Sequence, residues 1–97
     1  MADYIITDKK QSKAEIRQWD FDFSGDLPSG VTVTSAVATH VAPSGDASTT
    51  TVGTIASGVV PVKLGPLSVT GAHFLSVLAT YSNSEKSEIK LRITVEF

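Results

Sequence analysis

The 97-residue chain contains no cysteine, which excludes a disulfide framework, a thiol nucleophile, an iron–sulfur cluster and a thiolate zinc site. Charge of neither sign dominates: eight Lys and Arg stand against ten Asp and Glu, for a formal net charge of −2. A nucleic-acid binder ordinarily carries a basic face, so this balance argues against one. No apolar run approaches the roughly 20 residues that a helix needs to span a bilayer. The opening residues Met1 to Asp8 place an acid, Asp3, where a signal peptide needs a basic region, and no long apolar stretch follows. The expectation is a chain made and kept inside a cell, or carried out of it in a particle. The length suits one domain, able to bury about two-thirds of its unfolded surface.

Abundant β-branched residues take the place of what is missing. Val, Ile and Thr make up 28 positions and Ser twelve more. Such residues suit a pleated, half-buried surface and lose χ1 freedom in helices. Gly and Pro fall between the apolar runs, where turns belong. The pattern is that of a sandwich or barrel of about seven short strands, with no helix. From Glu88 to Phe97, Ile89, Leu91, Ile93, Val95 and Phe97 alternate with Glu88, Lys90, Arg92, Thr94 and Glu96, which predicts one buried and one wet face. Arg17 to Ser24 predicts a second strand, with Trp19, Phe21 and Phe23 on one side. Val31 to Val41 follows a turn at Leu27 to Gly30, with Val31, Val33, Val37 and Val41 in phase.

The middle of the chain is weaker. Thr49 to Ile55, Val59 to Leu64 and Leu67 to Thr70 read as short strands, and Pro61 assigns the second of them to an edge or a bulge. His73 to Ser82 carries Leu75, Val77, Ala79 and Tyr81 on one face, yet Phe74 and Leu78 on the other. Apolar residues on both faces predict either a doubly covered strand or a surface that meets a partner. Asp8 to Glu15, with Lys9, Lys10 and Lys13, reads as a mobile arm, giving an arm over residues 1–14 and a domain over 15–97. Tyr4, Ile5 and Ile6 are apolar residues in that polar arm. They are expected to pack on the domain's own sheet edge or to add as a strand to a neighbouring copy.

Candidate chemistry is thin. Asp20, Asp22, Ser24 and Gly25 match the opening of a calcium loop, but Val31 stands where a bidentate Glu is required. The alternation with Trp19, Phe21 and Phe23 explains those acids as a solvated strand face. His40 and His73 fall on different predicted strands, without further ligands at metal-binding spacing, and read as surface or boundary residues. There is no Gly-x-Ser-x-Gly elbow and no helix for a phosphate loop to open. No catalytic, metal or cofactor residue is expected, and no enzyme.

One resemblance adds to this. Lys13 to Ser24 leads from a lysine into an aromatic–acid strand, and the turn at Leu27 to Gly30 opens a Thr/Ser/Val strand at Val31 to Ala36. Gly71-Ala72-His73-Phe74 enters a later strand, and a polar turn at Ser82 to Glu85 precedes the charged alternating strand Ile89 to Phe97. In these features Ser12 to Phe97 resembles the small immunoglobulin-like structural proteins of tailed bacteriophages, although the last turn lacks the family's usual Gly. The resemblance implies an all-β, immunoglobulin-like antiparallel sandwich. Its core would hold Trp19, Phe21, Phe23, Val33, Val37, Leu91, Ile93 and Val95.

The function so implied is a non-enzymatic virion component, assembled in the host cytoplasm. The first expectation is a capsid decoration protein bound in many copies. A tail or head–tail component and an adhesive or carbohydrate-binding module, using loops such as Ala42 to Ser48, are the alternatives. Its partners would be the major capsid protein or other virion proteins, with further copies of itself in a homo-oligomer as a further expectation, and no nucleic acid or membrane. Tyr4, Ile5, Ile6, Phe74 and Leu78 are the candidate contact residues.

Overall fold

A computed structural model describes residues 6–44 and 50–97, with side chains described from residue 8 onward. Among these residues are seven strands: β1 (Ile6–Gln11), β2 (Arg17–Asp22), β3 (Val33–Val41), β4 (Thr50–Val52), β5 (Val59–Leu64), β6 (Gly71–Tyr81) and β7 (Lys86–Val95). They form a four-stranded sheet in the order β1-β7-β6-β3 and a three-stranded sheet in the order β2-β5-β4. Phe21, Val60, Val62 and Leu64 of the smaller sheet join Leu75, Val77, Ala79, Tyr81, Ile89, Leu91, Ile93 and Val95 of the larger in one core. The protein is all-β with two sheets facing across that core.

The alternation in β7 fixes its inner face as read: Ile89, Leu91, Ile93 and Val95 are buried. Phe97, in phase with them, lies beyond the strand and is exposed. In β2, Phe21 is buried and Trp19 half-buried, and Phe23 beyond it is buried against Tyr81 in an edge-to-face ring contact at 6.4 Å. Leu67 to Thr70 is not a strand. Pro61 sits in the central strand of its sheet and not at an edge. Its missing N–H is tolerated because β4 has ended at Val52 there, and the Pro61 carbonyl accepts from Gly53 N at 2.8 Å.

Two corrections matter for function. First, Asp8 to Gln11 is not an arm but part of β1, paired in parallel with β7, so the larger sheet is not purely antiparallel. The anchor is Gln11, a buried polar residue. Its Nε2 donates to Leu64 O and Glu15 O, each at 2.9 Å, and its Oε1 accepts from Trp19 Nε1 at 3.0 Å. The segment continues inward, with Lys13 N donating to Phe97 O at 2.6 Å and Leu67 N donating to Lys13 O at 2.8 Å. A buried polar side chain is tolerated because every bond it loses to water is replaced.

Second, Val37 is not in the core. The β3–β6 register shifts between Val33/Tyr81 and Ser35/Thr80, so Thr34 is an extra residue, and its Oγ1 donates to Thr80 O at 3.0 Å. A bulge of one residue exchanges the two faces of everything beyond it. Val33 packs against the core before the bulge, and after it Ala36 and Ala38 do so, opposite Ala79 and Val77. Val37 and Val41 are turned outward, 64% and 56% exposed.

Candidate functional site

The bulge creates the most distinctive surface of the molecule. Val37 lies across from Leu78, and Val41 lies across from Phe74, all on the outer side of the larger sheet. Leu78 is 38% exposed and Phe74 partly so. Such cross-strand pairs are within side-chain contact distance, so the four form a strip of two apolar pairs along β3 and β6, with the polar pair Thr39 and Ser76 between them. Paired apolar residues gathered on one face point to an interaction site more than singly scattered ones do.

The other half of that face is charged. Asp8 of β1 and Arg92 of β7 form a two-pronged pair, with Arg92 Nε and Nη2 donating at 2.7 and 3.1 Å. The hydrogen bond from Arg92 holds the Asp8 carboxyl below its ordinary range, and the same contact raises Arg92. Lys90 sits at the boundary, its Nζ 5.6 Å from the centre of the Phe74 ring. The face is thus divided into a hydrated half and an apolar half.

The apolar half adjoins a sheet edge. Of the four edges, β1 carries Asp8, Lys9 and Lys10, β2 carries Arg17, Asp20 and Asp22, and β4 has only three residues. β3 is nine residues long and contains no Asp, Glu, Lys or Arg. Edge strands are commonly protected by charge, proline, shortness or a bulge, and of these β3 has only the bulge at Thr34, near its start. Among the described residues no strand pairs with its outer side.

The sequence-predicted contact residues are not all brought together. Phe74 and Leu78 belong to the strip. Tyr4 and Ile5 lie outside the described residues, and Ile6 is placed only by its backbone, opposite Lys90 at the far edge from β3. Val37 and Val41 went unrecognised in the sequence because Val and Ala alternate in β3 and either set can serve as the inner face. The absence of charge from this strand was the available signal.

The acids of the calcium-like stretch have local uses. Asp20 Oδ1 accepts from Gln18 Nε2 at 3.0 Å, and Asp22 Oδ1 accepts from Ser24 N at 2.9 Å; the Ser24 hydroxyl first, and then this N–H, lower the Asp22 pKa. Asp26 Oδ2 accepts from Tyr81 OH at 2.8 Å. Burial pushes the Tyr81 phenol up, and the Asp26 carboxylate adds to the shift. His73 is not a boundary residue: it is fully buried, and His40 meets it with Nε2 at 2.9 Å from His73 Nδ1. Among the described residues no three His, Cys, Asp or Glu side chains converge as a metal site. Comparison with protein-family models and with curated proteins finds no match to this chain.

Proposed function

We propose that this chain is an immunoglobulin-like β-sandwich serving as a non-enzymatic structural component of a tailed-bacteriophage particle. It docks in many copies by adding a strand of a coat subunit to β3. The pairings support the fold assignment: with β2, β5 and β4 as strands B, E and D, and β3, β6 and β7 as C, F and G, the sheets match the immunoglobulin arrangement. The first strand departs from it by lying beside the last.

The observation that carries the docking reading is the uncharged β3 edge flanked by exposed Val37, Val41 and Leu78. Strand addition uses main-chain hydrogen bonds for affinity and alternate side chains for specificity. The occupant that fits is an extended, uncharged segment with apolar residues at alternate positions, aligned over the strip. One strand edge and four side chains offer less than the roughly 800 Å² per partner of a standard stable interface. A lattice compensates by presenting the same contact many times. The capsid exterior is favoured over a monomeric receptor-binding role for that reason.

The test is quantitative mass spectrometry of purified particles made by the genome that encodes the chain. A fixed ratio of this chain to the coat subunit is expected. Its absence from particles overturns the reading.

A further inference from the structure

We propose that the His40–His73 pair, with His73 buried and His40 half-buried, is a pH-sensitive latch that holds edge strand β3 to β6 and accepts no more than one extra proton. The pair joins residues 33 positions apart in the chain. His40 lies opposite Leu75 in the β3–β6 ladder, and His73 lies opposite Ile93 on the other side of β6. The ring planes are within 6° of parallel and the centroids 5.1 Å apart. That separation equals the 2.9 Å N···N distance plus the two ring radii, so the imidazoles lie end to end in nearly one plane and are not stacked face to face.

The proton count follows from the partners. His73 Nε2 lies 2.8 Å from the Val69 carbonyl oxygen, which only accepts, so Nε2 carries a proton. One proton, and only one, fits between His40 Nε2 and His73 Nδ1. These two bonds settle three of the four ring nitrogens, and only His40 Nδ1 can change its protonation. The pair is therefore neutral or singly charged. Whatever meets His40 Nδ1, two imidazolium rings would point N–H at N–H across 2.9 Å, and the bond must break.

The neighbouring strands face the pair with apolar side chains. The inward positions of the neighbouring strands are Leu75 and Val77 on β6, Ile93 and Val95 on β7, and Val62 and Leu64 on β5, all apolar and buried. On β4, Thr50 and Val52 carry no charge. The charged residues of these strands, Lys63, Lys86, Glu88, Lys90 and Arg92, occupy the outward alternation. Tyr81 with Asp26 is at the opposite end of β6. Among the described residues, the titratable groups in this part of the interior are the two histidines.

The unfolded chain binds two imidazole protons below about pH 6.5, whereas the native pair binds at most one. Stability rises with pH wherever the unfolded state binds more protons, so acidification must weaken the fold. The experiment measures the folding constant by urea unfolding between pH 7.5 and 5.5, for the full chain and for His40→Gln. Gln offers either an N–H or a carbonyl to His73 Nδ1 and so tolerates both of its states. The intact chain is expected to lose stability more steeply than the variant, the ratio of their folding constants approaching a tenfold fall per pH unit at the acidic end. Identical slopes overturn the latch. If His40→Gln does not fold, nitrogen NMR of the intact chain decides: native signals from one imidazolium at most are expected at pH 5.5, and two imidazolium rings in a native spectrum overturn it.

Discussion

Val37 of β3 stands directly opposite Leu78 of β6, and both project away from the core. This pairing exists because Thr34 is an extra residue in β3, so that Ala36 and Ala38 take the inner positions against Ala79 and Val77. Small residues suffice there because β6 already fills that layer with Leu75, Val77 and Tyr81. The bulge thus moves apolar side chains from the interior to the surface beside an edge without Asp, Glu, Lys or Arg.

The phase of β3 is open to a direct check. Val37→Ala is expected to change stability by no more than about 0.5 kcal/mol, as for a surface substitution. Leu75→Ala, at a fully buried position, is expected to cost about 2–5 kcal/mol. Comparable losses from both in urea unfolding would place Val37 in the core.

Gln11→Ala leaves the Trp19 indole N–H and the Leu64 carbonyl without their shared partner. A cost of about 1–3 kcal/mol is expected, since buried groups lose a bond that water does not replace. A lower urea midpoint at unchanged slope is the signature. Deleting residues 1–13 is expected to destabilise the whole domain, because the deletion removes β1 and uncovers the β7 edge.

Gly65 adopts a φ of 124°, and a Cβ there would run into the backbone carbonyl of Glu15. Gly65→Ala is therefore expected to cost well over the roughly 1 kcal/mol that a substitution at a compatible glycine changes. Thermal melting measures it. An unchanged or raised Tm would contradict the close approach of the two segments.

Tyr81 gives a prediction at alkaline pH. Its pKa is raised by burial and by Asp26, so the native state holds the phenol proton more tightly than the unfolded chain does. That contribution is complete below the ordinary tyrosine value of about 10 and is lost as pH rises through the native value. In a Tyr4→Phe background, tyrosinate absorbance is expected to appear above that ordinary value, with unfolding favoured over the same range. Ionisation at or below it would contradict the burial of this phenol beside a carboxylate.

These relationships differ in how plainly the sequence displays them. β7 is legible because its outward residues are charged and its inward ones aliphatic, which leaves a single choice of face. β2 is legible through its aromatic–acid alternation. β3 offers Val on one phase and Ala on the other, both apolar, so a one-residue bulge decides the face without leaving a trace in hydropathy. β1 resembles a linker because its side chains are polar, while its pairing resides in the backbone and in the buried amide of Gln11. The His40–His73 contact is illegible for a different reason: it spans 33 residues, and it depends on the register that the bulge sets.

The account rests most heavily on β3 as the docking edge, and the particle occupancy of a Val37→Lys, Val41→Lys double variant tests this directly. Both positions are exposed, so the variant is expected to fold with a Tm close to that of the unmodified chain. Two lysines place charge on the edge and on the strip, which blocks strand addition. Loss of the chain from purified particles, with the fold intact, is the predicted result; loading at full occupancy would contradict it.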